Sequence, residues 1–201
     1  MAAAESLPPK IDCAVPFTSQ APYGNWKEPY QEACEEAALI MAQYYWLGRP
    51  LNREIANREI LQMVAFQRKQ LGGHFDLPAA QIAKLGKDYF HNDQLRVVYD
   101  IKIKDIQDEL AKGNLVIVPC AGRLLRNPNF TPPGPVYHNL VIRGYDDLKK
   151  VFITNDPGTR KGEGYRYPYL VLYNAIHDWN GSKQTINQGR KAMIVVDTSD
   201  T

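Results

Sequence analysis

Apolar positions in the first half of the chain recur at the spacing of one face of an α-helix. From Cys34 they return every three or four residues, until Gly48 and then Pro50 end the pattern. Asn52 is the expected N-cap of a second helix, which Gly72–Gly73 ends. This half of the chain is therefore predicted to be helical.

Two shorter helices are predicted further along the chain. Asp76 is the expected N-cap of the third, because a periodic apolar segment follows it. Residues 104–112 have the pattern of a fourth helix, and Gly113 ends it. Beyond this point the pattern changes.

The second half of the chain has the apolar runs of β-strands. The predicted strands are residues 115–119, 139–145, 151–155 and 192–196. The middle two flank the polar turn DDLKK and should form a hairpin, whereas 157–168 is predicted to be a glycine-rich loop and 169–179 a helix. Helices followed by strands, without alternation, predict an α+β fold with a mostly antiparallel sheet.

Composition and charge narrow the class of protein. The 201 residues are 44% hydrophobic and 23% charged, which is ordinary for a globular protein. We expect one domain over residues 13–201 after a flexible lead-in at 1–12, and a monomer. A net charge of +2 without a Lys/Arg cluster argues against nucleic acid as a partner. The longest aliphatic run, residues 115–118, is too short for a membrane span.

The first ten residues do not have the pattern of an intact signal peptide. They lack both a basic start and an apolar stretch of about 7–15 residues. We expect a secreted or cell-surface protein whose signal segment is absent from this chain, and a cytoplasmic origin is the alternative.

Cysteine is the first residue type that points to chemistry. The chain has three cysteines, so Cys13 and Cys120 could pair and leave Cys34 free, or all three could be reduced. The positive end of a helix dipole favours a thiolate at Cys34, whereas Glu35 and Glu36 oppose it. A cationic partner is then needed, and the alternative is a small buried residue at the start of a helix.

Histidine can supply that partner. Of the four histidines, His138 begins a predicted strand and should be held more firmly than a histidine in a loop. His74 follows a glycine pair, His91 lies in a polar stretch and His177 lies in the predicted last helix. His138 is therefore the candidate general base.

An acidic residue should orient the imidazole of His138. Asp156 directly follows the second strand of the predicted hairpin, and both residues lie at the same end of that hairpin. Asn155 is the alternative, because an amide can also orient an imidazole.

Five stretches of the chain carry a resemblance to a known family. They are VPFTSQ at 15–20, PYQEACEEAALIMA at 29–42, HNLVIRGYDD at 138–147, VFITNDPGTR at 151–160 and GYRYPY at 164–169. With these, the chain resembles the C39-like (C39 type-2) group of papain-like cysteine peptidases. The resemblance implies a papain-like fold, with a helical half that begins at the catalytic cysteine and packs on the sheet.

The resemblance also implies roles for individual residues. Cys34 would be the nucleophile, His138 the general base and later acid, and Asp156 the residue that orients His138. Gln20 would donate to the oxyanion together with the backbone N–H of Cys34, and Gln31 is the rival donor.

The implied activity is hydrolysis of a peptide or protein substrate through an acyl-enzyme, without a cofactor or a metal. Trp26, Tyr30 and Asn155 are candidate substrate-binding residues, although the two aromatic residues could instead pack the loop locally. Two alternatives stay open, namely an inactive peptide-binding module on the same fold and an acyl transferase on the same triad. The pairs at 74/76 and 91/93 lack the spaced ligand sets of zinc sites.

Overall fold

Helices dominate the first half of the chain and strands the second, as the hydrophobic pattern predicts. The structure is a computed structural model, and it describes residues 7–198. The helices are α1 (Cys34–Trp46), α2 (Arg53–Leu71), α3 (Ala79–Phe90), α4 (Ile103–Ala111) and α5 (Tyr169–Ala175). The strands are β1 (Lys10–Asp12), β2 (Leu95–Tyr99), β3 (Leu115–Ala121), β4 (Tyr137–Asp146), β5 (Val151–Asn155), β6 (Tyr165–Pro168) and β7 (Ala192–Val196).

The strands form one sheet in which every pair is antiparallel. Its order is β2-β7-β3-β4-β5-β6, and β1 pairs with one end of β4. This confirms the predicted α+β fold with a mostly antiparallel sheet. None of the helices within residues 7–198 is long and apolar enough to cross a bilayer.

The central strand β3 is buried on both faces, which explains its continuous apolar sequence. Leu115 and Ile117 pack in a core with α1, α2 and α3. Val116 and Val118 point to the opposite face and pack in a second core with α4 and α5. Successive side chains of a strand point to opposite faces, so the same strand supplies both cores.

Local signals predict both ends of α2 correctly. The Asn52 side chain accepts a hydrogen bond from the N–H of Ile55 (2.9 Å), as an N-cap does. Gly72 follows α2 with a φ of 76°, a left-handed conformation that glycine adopts without strain. Helix α2 therefore begins and ends where the sequence predicts.

The predicted N-cap of α3 is wrong. Pro78 occupies that position in place of Asp76, and the N–H of Ala79 donates to Asp178 Oδ1 at 2.7 Å. The cap thus comes from a residue 99 positions away in the sequence, which no local pattern indicates.

Short strands lie where the sequence predicts loops. Lys10–Asp12, within the predicted lead-in, pairs with β4, while residues 1–6 lie outside the described residues. An added Cβ at Gly144 would collide with the backbone of Ile11, so glycine at this position allows β1 to approach β4. The predicted loop at 157–168 ends in β6, which pairs with β5. No element was predicted at Leu95–Tyr99, where β2 pairs with β7.

Candidate active site

Helix α1 begins at Cys34, directly after a 3-10 turn at Tyr30–Glu32. Ala33 occupies the N-cap position, and because alanine has no polar side chain, it cannot cap the first N–H groups of α1. These N–H groups carry the positive end of the helix dipole. The start of α1 can therefore donate hydrogen bonds to an anion beside Cys34.

Cys34 and His138 line the same cavity. This cavity has a volume of about 440 Å³, and Gln20, Trp26 and Gly158 also contribute to its wall. Helix α1 packs against β4, which begins one residue before His138. The packing of one helix on one strand thus brings the cysteine and the histidine to a common cleft.

The hairpin of β4 and β5 brings His138 and Asp156 together. His138 Nε2 lies 2.7 Å from Asp156 Oδ1, and both side chains are buried. A β-bulge between Ile142 and Gly144 shifts the pairing by one residue, which moves Asp156 one position closer to His138.

Asp156 is surrounded by hydrogen-bond donors. Tyr167 Oη donates to Oδ2 at 2.6 Å, the Gly158 N–H donates to Oδ1 at 2.9 Å, and Asn127 Nδ2 lies 3.3 Å from Oδ2. Burial works to raise the pKa of Asp156, but His138, Tyr167 and the Gly158 N–H hold that pKa below its ordinary value. Asp156 is therefore a carboxylate that accepts from Nε2–H, which leaves Nδ1 of His138 to accept a proton.

The orientation of the His138 ring is also fixed by packing. Phe130 meets the ring edge to face, with 5.4 Å between the ring centroids. An added Cβ at Gly158 would lie 2.8 Å from Cε1 of His138, so this glycine allows the loop after β5 to cover the ring. Neither Phe130 nor Gly158 was predicted, because their contact with His138 exists only in the folded chain.

The thiol of Cys34 makes its hydrogen bond to Glu35 in this structure. Cys34 Sγ lies 3.0 Å from Glu35 Oε2, and Asn139 Nδ2 lies 4.0 Å from the same sulfur. Burial and the neighbouring charge of Glu35 raise the pKa of the Cys34 thiol well above its ordinary value. The helix dipole alone would lower this pKa, so here burial and Glu35 outweigh it.

Two buried carboxylates follow the cysteine. Glu35 Oε1 accepts a hydrogen bond from the N–H of Leu77 at 3.3 Å, and Glu36 Oε1 lies 3.3 Å from His74 Nε2. Burial, followed by the charges of Glu36 and Asp76, raises the pKa of Glu35 well above its ordinary value. Acidic residues in a first helical turn are usually exposed, so the sequence does not predict this burial.

Both glutamines proposed as oxyanion donors line the cavity. Gln20 Nε2 donates to the carbonyl oxygens of Tyr30 and Gln31, both at 2.9 Å. Its Oε1 is buried and has no hydrogen-bond partner among residues 7–198. Gln31 Nε2 instead donates to Glu28 Oε1 at 2.8 Å, at an exposed position.

The three candidate substrate-binding residues have different surroundings. Trp26 is 38% exposed and lines the cavity. Tyr30 points toward α2, where its hydroxyl donates to Asn57 at 2.7 Å. Asn155 is buried away from solvent, and its Nδ2 donates to the carbonyl oxygen of Val15 at 3.0 Å.

An ion-pair cluster that the sequence does not indicate lies at one end of the cavity. Lys183 Nζ lies 3.6 Å from Asp76 Oδ2 and 3.9 Å from Glu32 Oε2. Burial raises the pKa of both carboxyl groups, while Lys183 lowers them. These residues come from three separate segments, which explains why no motif groups them.

The three cysteines, Cys13, Cys34 and Cys120, are all free thiols. Of the two pairing schemes left open by the sequence, the structure therefore has the reduced one. Within residues 7–198, no group of three or more His, Cys, Asp or Glu side chains is arranged to hold a metal ion.

A helix that begins at Cys34 and packs on an antiparallel sheet that carries His138 gives the chain a papain-like fold. Two solved structures have this fold. One is assigned as a C39-like peptidase from Bacillus anthracis, with a TM-score of 0.60 and 16% identity over 94% of this chain and 98% of that chain. The other is xylellain, a cysteine protease from Xylella fastidiosa, with a TM-score of 0.55 and 15% identity over 96% of this chain and 87% of that chain.

The sequence identifies the family within this fold. The sequence model of the Peptidase_C39 like family matches residues 13–187, and the chain belongs to this family. No curated protein matches the sequence. The family predicted from the five sequence stretches is confirmed, and family and fold together support a cysteine-peptidase-like function.

Proposed function

We propose that the protein hydrolyses peptide bonds through Cys34, His138 and Asp156. The observation that carries this proposal is the 2.7 Å contact between His138 and a buried aspartate, at the wall of a cavity that Cys34 also lines. A buried, oriented imidazole beside a cysteine is the arrangement required for nucleophilic catalysis by a thiol. Peptides or proteins are the proposed substrates.

Each residue has one role in the proposed reaction. Cys34 transfers its thiol proton to Nδ1 of His138, and the thiolate attacks the substrate carbonyl to form a carbon–sulfur bond. His138 then donates the proton to the leaving amine, so the amide bond breaks and an acyl-enzyme remains. His138 next takes a proton from water, which attacks the thioester and releases the acid and the thiol.

The start of α1 is proposed to stabilise the oxyanion that forms during attack. The N–H of Cys34 is one donor, and Gln20 Nε2 is the proposed second. Since both hydrogens of that amide now bind carbonyl oxygens, one of those bonds must be exchanged for the oxyanion. One such donor contributes about 2.7–4 kcal/mol to catalysis.

The remaining predicted residues are proposed to shape the cleft. Trp26 is the proposed substrate contact, because it is partly exposed on the cavity wall. Tyr30 fixes the turn that precedes Cys34 through its bond to Asn57. Asn155 holds the segment at Val15 against the end of β5.

A second candidate function is peptide binding without hydrolysis. The raised pKa of the Cys34 thiol favours it, because a protonated thiol is a poor nucleophile. Acyl transfer to an amine is a third outcome on the same triad, and added amines would then appear in the products.

Incubation with a pool of peptides of varied sequence distinguishes these functions. We expect new peptide termini with the wild-type protein and with Cys13→Ala, which changes a thiol outside the cavity, but none with Cys34→Ala. Cleavage that persists in Cys34→Ala contradicts the proposal. Peptide binding with no cleavage by any variant identifies the binding module.

A further inference from the structure

The carboxylate of Glu35 touches the proposed nucleophile. Oε2 lies 3.0 Å from Cys34 Sγ, and only 1% of Glu35 and 5% of Cys34 is exposed. The contact between the thiol and the carboxylate is therefore almost completely buried. The thiol proton therefore lies between the sulfur and a carboxylate.

Glu35 is held in this position from its other side. Its Oε1 accepts from the N–H of Leu77, and the carbonyl oxygen of Leu77 accepts from Tyr137 Oη at 2.8 Å. Tyr137 lies on β4, next to His138. The loop before α3 and the strand that carries His138 thus clamp the Glu35 carboxylate against the thiol.

The surroundings of Glu35 do not favour a negative charge. The titratable groups in this region, from α1, the loop before α3, β4 and the segment after α5, are Cys34, Glu36, His74, Asp76, Tyr137, His138 and Asp178. His74 lies against Glu36, and Lys183 lies against Asp76. Glu35 has the thiol and the Leu77 N–H as its partners, and both are neutral donors.

We propose that Glu35 is a positioning residue that retains the thiol proton of Cys34 and competes with His138 for it. This inference rests on the proposed function, because it assigns a control to the same nucleophile. When the proton moves from Sγ to Nδ1 of His138, the thiolate is left beside the Glu35 carboxylate. Two neighbouring buried anions repel each other strongly, so an ionised Glu35 opposes this transfer.

Protonation of Glu35 reverses its effect. The carboxyl group then has an O–H that can donate to the thiolate, while the proton from the thiol resides on His138. The reactive state therefore has protons on Glu35 and His138 and none on Cys34. It holds one proton more than the resting state, in which a single proton lies between Cys34 and Glu35, and solvent supplies this additional proton. Activity should therefore persist at lower pH than it would if Glu35 stayed ionised at every pH.

The test is the pH dependence of Cys34 alkylation by iodoacetamide from about pH 5 to 10, measured by mass spectrometry at each cysteine. Glu35→Gln keeps the shape of the side chain and removes its charge. We expect its apparent thiol pKa to fall by at least about one unit relative to wild type. Each unit by which the thiol pKa falls gives about tenfold more thiolate at pH 7, but the thiolate is then less nucleophilic. The rate of alkylation at pH 7 should therefore rise about threefold per pKa unit.

Glu36→Gln is the matched control. It removes a buried charge of the same type, one residue along α1, but Glu36 faces His74 rather than the thiol. Its Cys34 profile should shift much less than that of Glu35→Gln, because Glu36 acts on the thiol only through the pKa of Glu35. Cys13 serves as the internal reference in each sample. An equal shift in both variants would show that net charge, rather than contact with the thiol, sets the profile, and this would overturn the proposal.

An unchanged or slower Cys34 reaction in Glu35→Gln would also overturn the proposal. If Glu35→Gln does not fold, the pH profile of Cys34 alkylation in the wild-type protein tests the proposal by itself. A midpoint below about pH 8.5, the ordinary pKa of a free thiol, contradicts retention of the proton. Alkylation needs no turnover, so it is independent of the peptide-cleavage test. A shifted profile with no cleavage contradicts the proposed hydrolysis alone.

Discussion

Asp156 and Glu35 are both buried carboxylates near the same cleft, yet their pKa values move in opposite directions. Asp156 has donors from His138, Tyr167 and Gly158, which together outweigh the cost of burial. Glu35 has neighbouring carboxylates instead, so burial and repulsion act together to raise its pKa. The comparison shows that burial alone does not decide the charge of a site residue, and that its partners do.

The same difference divides the proposed catalytic machinery into two parts. In the His138–Asp156 pair, both carboxylate oxygens of Asp156 accept hydrogen bonds, and packing fixes the His138 ring. On the Cys34 side, the thiol is bonded to a carboxylate that opposes its ionisation. Single substitutions can change one of these two parts while the other stays intact.

Loss of the imidazole should have the largest effect. A general base contributes about 10²–10⁴-fold to a rate, so His138→Ala should lower peptide cleavage by that factor. His91→Asn is the control, since His91 lies at the end of α3 with a φ of 53°, which asparagine tolerates. Equal cleavage rates for the two variants would remove His138 from the mechanism.

Asp156→Asn should cost about 10³-fold in kcat, because an amide does not stabilise the imidazolium and can bind the wrong tautomer. KM should change much less. Tyr167→Phe, which removes one donor to Asp156 and leaves the charge in place, should have a smaller effect. A larger loss of kcat in Tyr167→Phe than in Asp156→Asn would show that the hydrogen bond between Asp156 and His138 is not what supports catalysis.

Gln20→Ala should lower kcat about 10²-fold if its amide donates to the oxyanion. Gln31→Ala, at the other candidate donor, should leave the rate within about threefold of wild type. The reverse result in steady-state kinetics would assign the role to Gln31.

Gly158→Ala should lower kcat by roughly ten- to a hundredfold, because its Cβ would displace the His138 ring and a shift of about 1 Å can cost that much. Gly164→Asn is the control, since nothing lies within 4 Å of an added Cβ there and asparagine tolerates its φ of 60°. Comparable losses in both variants would indicate a general effect of the 157–168 segment.

The smallest expected effect concerns stability. The folded-state pKa of Glu35 is raised, so the folded protein binds this proton more tightly than the unfolded chain does. Stability should therefore decrease as the pH rises above about 4.3, the ordinary pKa of a glutamate. Glu35→Gln removes this loss, and its gain in the free energy of unfolding should be about 1.4 kcal/mol for each unit by which the pKa is raised.

Urea unfolding at pH 4 and at pH 8 measures this gain, which should be near zero at the lower pH. The contribution of Asp156 to folding stability depends on pH in the opposite direction. Because its pKa is lowered in the folded protein, Asp156 stabilises the fold above about pH 3.9, and this contribution is lost at lower pH. A Glu35→Gln variant that is less stable than wild type at pH 8 would contradict the account of Glu35.

Local chemistry explains which parts of the molecule the sequence predicts. The hairpin of β4 and β5 has two apolar runs around a polar turn, and this pattern alone places Asp156 near His138. The limits of α2 follow from Asn52 and Gly72 in the same way. Each of these features depends on residues that are close together in the chain.

Long-range contacts explain the rest. The cap of α3 comes from Asp178, and Phe130 reaches His138 from a loop whose sequence does not indicate this contact. The burial of Glu35 results from the loop before α3, which closes over the start of α1. The sequence therefore predicts the proposed catalytic residues but not the environment that sets their charge.

Cys34 is the residue proposed to form the covalent bond to the substrate. Peptidyl p-nitrophenyl esters acylate a catalytic thiol rapidly, so an acyl-enzyme should accumulate and can be trapped by an acid quench. Mass spectrometry of the digested protein should then locate the acyl group on Cys34, and none should form in Cys34→Ala. An acyl group on another residue, or equal adduct formation in Cys34→Ala, would contradict the account.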